Sequence, residues 1–142
     1  MHITEILRGK GDQVVTVRPR SSVREFVQLL ADHNIGAAVV SEDGTGVLGI
    51  VSERDVVRRM HLDSRILDAA VADIMTATVR TCTPDDTVDM LMRTMTDHRV
   101  RHVPVVVDGQ LVGLVSIGDV VKSRISELEF ERGQLEHYIA GR

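Results

Sequence analysis

Two nine-residue stretches decide the reading of this chain: GIVSERDVV at residues 49–57 and GLVSIGDVV at residues 113–121. Each ends an apolar run with Ser-x-x-Asp and then resumes apolar. The likeness extends well beyond them. Residues 16–57 align with residues 81–121 when a single gap is placed at Thr45, and 14 of the 41 aligned pairs are identical. Identities include Pro19/Pro84, Asp32/Asp97, His33/His98 and Gly49/Gly113. Upstream, ITEIL at residues 3–7 resembles VADIM at residues 71–75, and three extra residues then follow in the first half. The chain is therefore a tandem duplication of a unit of about 60 residues. The expected units are residues 1–65 and 66–124, with residues 125–142 as a helical extension.

Each unit reads β-α-β-β-α. A short β-prone run, VVTV or VRTC, is closed by a proline. In the first helix Ser22 and Glu25 have capping-box spacing, with Val23, Phe26, Val27 and Leu30 as its apolar stripe. In the second unit Thr87 caps, and Val88, Leu91, Met92 and Met95 form the stripe. A hairpin follows in each unit, with Asp-Gly at its turn. A second helix begins at Ser-x-x-Asp. A unit this small buries little alone, so two must share an interior. The expected fold is α+β: two tandem repeats related by a pseudo-twofold axis, with an extended C-terminal helix and two similar clefts between the halves.

Composition narrows the function classes. Of the 142 residues 43% are apolar, but the aromatics are only Phe26, Phe130 and Tyr138. With a net charge of −4, that argues against a reader of nucleic acid by stacking or phosphate contact. The lone Cys82 permits no internal disulfide and fits a reducing compartment. No apolar run approaches ~20 residues, so no membrane span is expected. The expected location is the cytoplasm.

Ser-x-x-Asp before an apolar helix is, at its plainest, an N-cap with an acidic third position. The same geometry suits a ligand. A helix N-terminus offers free N–H groups to an anion, and an Asp one turn in can accept from both hydroxyls of a ribose. The chemistry is that of a nucleotide, provided the walls supply an apolar surface and positive charge.

With these motifs, the repeated order, VADIMT, HNIGAAVV and HRVRHVPVV, the whole chain resembles a tandem pair of CBS domains (a Bateman module) of the stand-alone bacterial type. The resemblance implies a regulatory module and not an enzyme. The implied ligand is adenosine-containing (AMP, ADP, ATP or NAD(H), with AMP and NAD leading), and no cofactor is required. It places ribose hydroxyls on Asp55 and Asp119, with Ser52 and Ser116 near ribose or phosphate. It assigns adenine to Thr16, Val17 and Arg18 with Ala37, Ala38 and Val39 in the first unit. In the second unit it assigns adenine to Thr81, Cys82 and Thr83 with Val103, Pro104 and Val105. It further implies a homodimer and a regulated partner protein, unidentified by the sequence.

The halves differ in charge. Arg99, Arg101 and His102 precede the second hairpin where the first has Asn34, Gly36 and Ala37, whereas Arg54 stands where the second motif has Gly118. If the clefts lie between the halves, Arg101 and His102 serve a ligand held by Asp55, together with Arg54. Arg99, Arg58 and Arg59 read equally well as a solvated face. No histidine pair has zinc-ligand spacing, Cys82 reads as a buried inert thiol, and no catalytic constellation is present. The competing class is an interaction scaffold whose clefts are vestigial. Ile125, Leu128, Leu135 and Ile139 form a stripe along the extension, suited to a partner subunit or to the domain itself.

Overall fold

The computed structural model describes residues 1–11 and 13–141; Asp12 and Arg142, which fall within the expected units, lie outside the described residues. The elements run α1 (Ile3–Lys10), β1 (Thr16–Val17), α2 (Val23–His33), β2 (Ala37–Val40), β3 (Gly49–Ser52) and α3 (Glu53–Met60). A 3-10 turn (Ile66–Asp68) leads to α4 (Val71–Ile74), α5 (Val88–His98), β4 (His102–Val107), β5 (Gln110–Ser116) and α6 (Ile117–Ala140). β1 pairs parallel with β2, which pairs antiparallel with β3. β4 and β5 form the second hairpin.

The local signals act through identifiable atoms. The Ser22 hydroxyl accepts from the Glu25 N–H at 3.1 Å, and Thr87 accepts from the Met90 N–H at the same distance. Val23, Phe26 and Leu30 are buried, but Val27, placed on the apolar stripe by spacing, is 39% exposed. Val88, Leu91 and Met95 are buried with Met92 packed beside them. The second hairpin turns tightly at Asp108 and Gly109, both at positive φ, as a two-residue turn requires. The first hairpin does not turn on its Asp-Gly in that way. An eight-residue loop joins β2 and β3 (residues 41–48), with Asp43 accepting from the backbone N–H groups of Thr45 and Gly46. Those bonds, Gly46 foremost, hold the Asp43 carboxyl down at about 2. The expected strand VRTC shrinks to one parallel bridge, Cys82 to Val105.

The two cores exchange their leading helices. Val71 and Ile74 of α4 pack in the core that holds Phe26, Val40 and Val51. Ile3 and Ile6 of α1 pack in the core that holds Leu91, Val103 and Val115. Reciprocal backbone bonds fasten the exchange. Val71 N–H donates to Ser21 O and Ala72 N–H to Pro19 O. At the other end Ile3 N–H donates to Asp86 O and Thr4 N–H to Pro84 O. Full burial of an Ile such as Ile3, 0% exposed, contributes about 1.5–3 kcal/mol. The expected pseudo-twofold pairing is thus a mutual insertion, with each repeat's first helix completing the other repeat's interior.

Two consequences are testable by thermal melting. A Cβ at Gly49 would lie 2.7 Å from Met75 Sδ and 2.8 Å from Thr76 O, a backbone atom, whereas the three atoms nearest one at Gly113 all belong to the Leu7 side chain, the first at 2.6 Å. Gly49→Ala should therefore cost about 1–3 kcal/mol, and Gly113→Ala clearly less because Leu7 can rotate away; equal losses would contradict this packing. The ends of α2 and α5 are capped by Asn34 and Arg99 in the left-handed region, at φ 52° and 53°. Asn adopts it at little cost; Arg adopts it only under strain. Arg99→Gly should raise stability by about 1 kcal/mol, and a lowered melting temperature would contradict the strain.

Candidate functional site: a cleft built from both repeats

β3 delivers Ser52 to the start of α3. Ser52 N–H donates to Asp55 Oδ2 at 2.8 Å, and Asp55 N–H donates back to Ser52 Oγ at 3.4 Å. β5 delivers Ser116 to α6 in the same way: Ser116 N–H to Asp119 Oδ2 is 2.9 Å, and Asp119 N–H to Ser116 Oγ is 3.2 Å. Both motifs are therefore complete capping boxes. The caps do not distinguish the halves; their surroundings do.

Asp55 opens onto a cavity of about 530 Å³ lined by Ser52, Arg54 and Arg58 on the α3 side. The opposite side comes from the second repeat: Thr76, Thr78, Val79 and Arg80 of the connection after α4, and Arg99, Arg101 and His102 of the turn between α5 and β4. The volume is that of a small-ligand site. Five arginines (Arg54, Arg58, Arg80, Arg99 and Arg101) line it with two acidic residues, Glu53 and Asp55, while Ile50, Val57, Val79 and Val100 are its apolar lining residues. Among the described residues no ion pair engages Asp55. Burial pushes the His102 pKa below its ordinary value, although the Glu53 carboxylate opposes the shift. His102 is therefore neutral near pH 7, able to donate from one nitrogen and accept at the other.

The α3 entry is fixed from below. Glu53 N–H donates to Gly36 O at 3.0 Å, just as Ile117 N–H donates to Arg101 O at 2.8 Å at the head of α6. Arg101 is thus tied to α6 by its backbone and also lines the first cleft. The left-handed turn at Arg99 brings the chain round into β4 beside it.

At Asp119 the neighbour is different. Lys10, in the last turn of α1, donates to Asp119 Oδ2 at 2.6 Å and to Leu114 O at 2.7 Å. Burial raises the Asp119 carboxyl, but the Lys10 ammonium and the Ser116 N–H outweigh it and hold it below the usual carboxylate range. The equivalent position in the first half, Ile50 O, is met by the backbone N–H of Thr76 at 2.8 Å.

Of the residues expected at the site, Ser52, Arg54, Asp55, Arg101 and His102 share this cavity. Ala37, Ala38 and Val39 of β2, and Val103, Pro104 and Val105 of β4, are buried strand positions, and none lines it. Thr16 pairs with Val39, and Arg18, Thr81 and Thr83 are exposed, also away from this cavity. Residues 76–80 escaped the sequence reading. Their wall belongs to the repeat opposite Asp55, so a comparison within one repeat looks on the wrong side. Cys82 is buried, and burial with the Asp86 charge pushes its thiol up to about 12, which leaves it protonated and unreactive.

Comparison with known proteins agrees with this architecture. The family model for the CBS domain matches twice, over residues 10–62 and 71–126. The mitochondrial CBS domain-containing protein CBSX3 of Arabidopsis thaliana is 35% identical over 148 residues, covering 98% of this chain and 72% of that protein. The crystal structure of the CBS-domain containing protein ATU1752 from Agrobacterium tumefaciens superposes with a TM-score of 0.84 at 43% identity, covering 87% of this chain and 99% of that one. The CBS domain pair of protein MJ0100, in complex with 5′-methylthioadenosine and S-adenosyl-L-methionine, shares the fold at a TM-score of 0.80 and 23% identity, over 89% of this chain and 98% of that one. With two matched copies of the domain and the interlocked cores that they build, this chain belongs to the CBS-domain family.

Proposed function

We propose that the chain is a regulatory module that binds a phosphorylated adenine nucleotide in the Asp55 cleft and passes its occupancy to a partner. The observation that carries this reading is the cavity itself. One carboxylate at a helix N-terminus, held by Ser52 but engaged in no ion pair among the described residues and suited to a ribose diol, lines the cavity with apolar patches and five arginines drawn from both repeats. Guanidinium groups pair with phosphate in bidentate fashion. Five of them exceed what a monophosphate uses and favour ADP, ATP or NAD(H) over AMP, and all of these over a sulfonium. The adenosine ligands of the MJ0100 domain pair support the nucleoside half of this reading.

Relay has a physical route. Arg101 lines the cleft and also an apolar groove formed by Ile117, Val121 and Ile125 of α6, beside Lys122. A ligand that draws the Arg101 side chain toward its phosphates removes a cation from the edge of that groove. The groove and the exposed Leu128, Leu135 and Ile139 further along α6 are suited to a second copy, forming a homodimer, or to the regulated protein. Occupancy shifts the assembly only if the ligand binds its two states with different affinity.

Calorimetric titration with AMP, ADP, ATP, NAD and S-adenosylmethionine tests the reading. ADP or ATP should bind most tightly, with affinity falling as salt rises. The 2′-deoxy form should bind about tenfold more weakly to the wild type, as expected for one lost charge-assisted hydrogen bond. Asp55→Ala, which keeps neither acceptor nor donor, should bind the two forms alike. Equal binding of both sugars by the wild type would remove Asp55 from the ribose. Absence of binding by every adenosine compound would leave a scaffold.

A further inference from the structure

The two crossings between the cores differ in a way that the duplication alone does not explain. After α4 the chain turns at once: Met75 ends the helix, and Thr76 pairs with Ile50 as an antiparallel bridge. Helix α4 spans four residues, whereas α1, its counterpart, spans eight and ends at Lys10. The additional helix carries the Lys10 ammonium to the α6 N-terminus. There it binds Leu114 O and Asp119 Oδ2 together. Of the first cleft's five arginines only Arg58 keeps a cationic counterpart, Lys122, in this half. Gly36 and Ala37 stand where the second repeat has Arg101 and His102, and Gly118 stands where the first motif has Arg54.

We propose that Lys10 occupies, at Asp119, the place that a ligand's diol takes at Asp55, so that the second Ser-x-x-Asp accepts no nucleotide and serves as a clasp between α1 and α6. A diol presents neutral donors to the carboxylate; the ammonium presents a charged donor already attached to the chain and already satisfied by Leu114 O. A ligand must displace it without gaining the opposite-wall phosphate contacts of the first cleft, because Val15, Asn34 and Gly36 stand where that wall has Arg80, Arg99 and Arg101. The asymmetry makes the chain a one-site receptor. The use of Asp55 as the diol acceptor rests on the function proposed above; the blocking of Asp119 by Lys10 does not.

Calorimetric stoichiometry tests this with ATP and with adenosine, which needs no phosphate site. Wild type should take one ATP per chain, and Asp119→Asn should still take one. Two per chain, or a loss in Asp119→Asn, overturns the proposal. Lys10→Met should gain an adenosine site at least about tenfold tighter than any in the wild type at that cleft, absent from Lys10→Met/Asp119→Asn. A folded Lys10→Met protein with no such gain also overturns it. Should that variant not fold, the Asp119 carboxyl carbon of the wild type, titrated by NMR with and without saturating ATP, gives the answer. Its midpoint should stay depressed and unchanged; a rise on adding ATP means that the nucleotide has displaced Lys10, and overturns the proposal. Failure of wild type to bind any adenosine compound would instead defeat the Asp55 reading, while the adenosine site gained by Lys10→Met would stand.

Discussion

Ile3 and Ile6 sit in a core made otherwise of the second repeat, and Val71 and Ile74 sit in a core made of the first. Neither repeat closes its interior without the helix that precedes the other. This mutual insertion sets the geometry of everything else. Each chain segment between a leading helix and its own repeat must cross from one core to the other. Both crossings run past the N-terminus of a second helix, where Ser-x-x-Asp waits. The cleft at Asp55 is therefore a by-product of how the cores are completed.

The same crossing produces two different results. After α4 it is short, hydrogen-bonds β3 through Thr76, and leaves Thr78, Val79 and Arg80 along the wall of an open cavity. After α1 it begins with additional helix and brings Lys10 onto Asp119. The Lys10–Asp119 pair is partly exposed, with side chains 36% and 23% accessible, so its direct contribution to stability is modest, about 1 kcal/mol or less. Its effect on the site is larger than its effect on the fold. Charge follows the same division: arginines gather where the carboxylate is open, and small residues lie where it is paired. At Arg99 the fold accepts a strained left-handed residue in the wall of the charged cleft, where Asn34 makes the same turn without an Arg.

Much of this was legible in the sequence because duplication writes the fold twice. The helix stripes, the Ser-x-x-Asp caps and the Asp108–Gly109 turn rest on local spacing, which survives without knowledge of the tertiary structure. The gathering of Arg101 and His102 at Asp55 followed from placing the clefts between halves. What local spacing does not encode is which core a helix enters. Nothing in ITEIL or VADIM distinguishes insertion into its own repeat from insertion into the other. The wall at residues 76–80 and the Lys10 clasp both depend on that exchange. Val27 lies on the apolar edge of α2 by period but beyond the reach of the core, and the first hairpin loop is held by Asp43 bonding to Gly46 and Thr45 rather than by a two-residue turn.

The most direct test of the account is a crystal structure of the chain grown with ATP. The account predicts one nucleotide per chain, its ribose hydroxyls on Asp55, its phosphates among Arg54, Arg80, Arg99 and Arg101, and Lys10 still on Asp119. A nucleotide on Asp119, or one whose phosphates leave the arginines untouched, would contradict it.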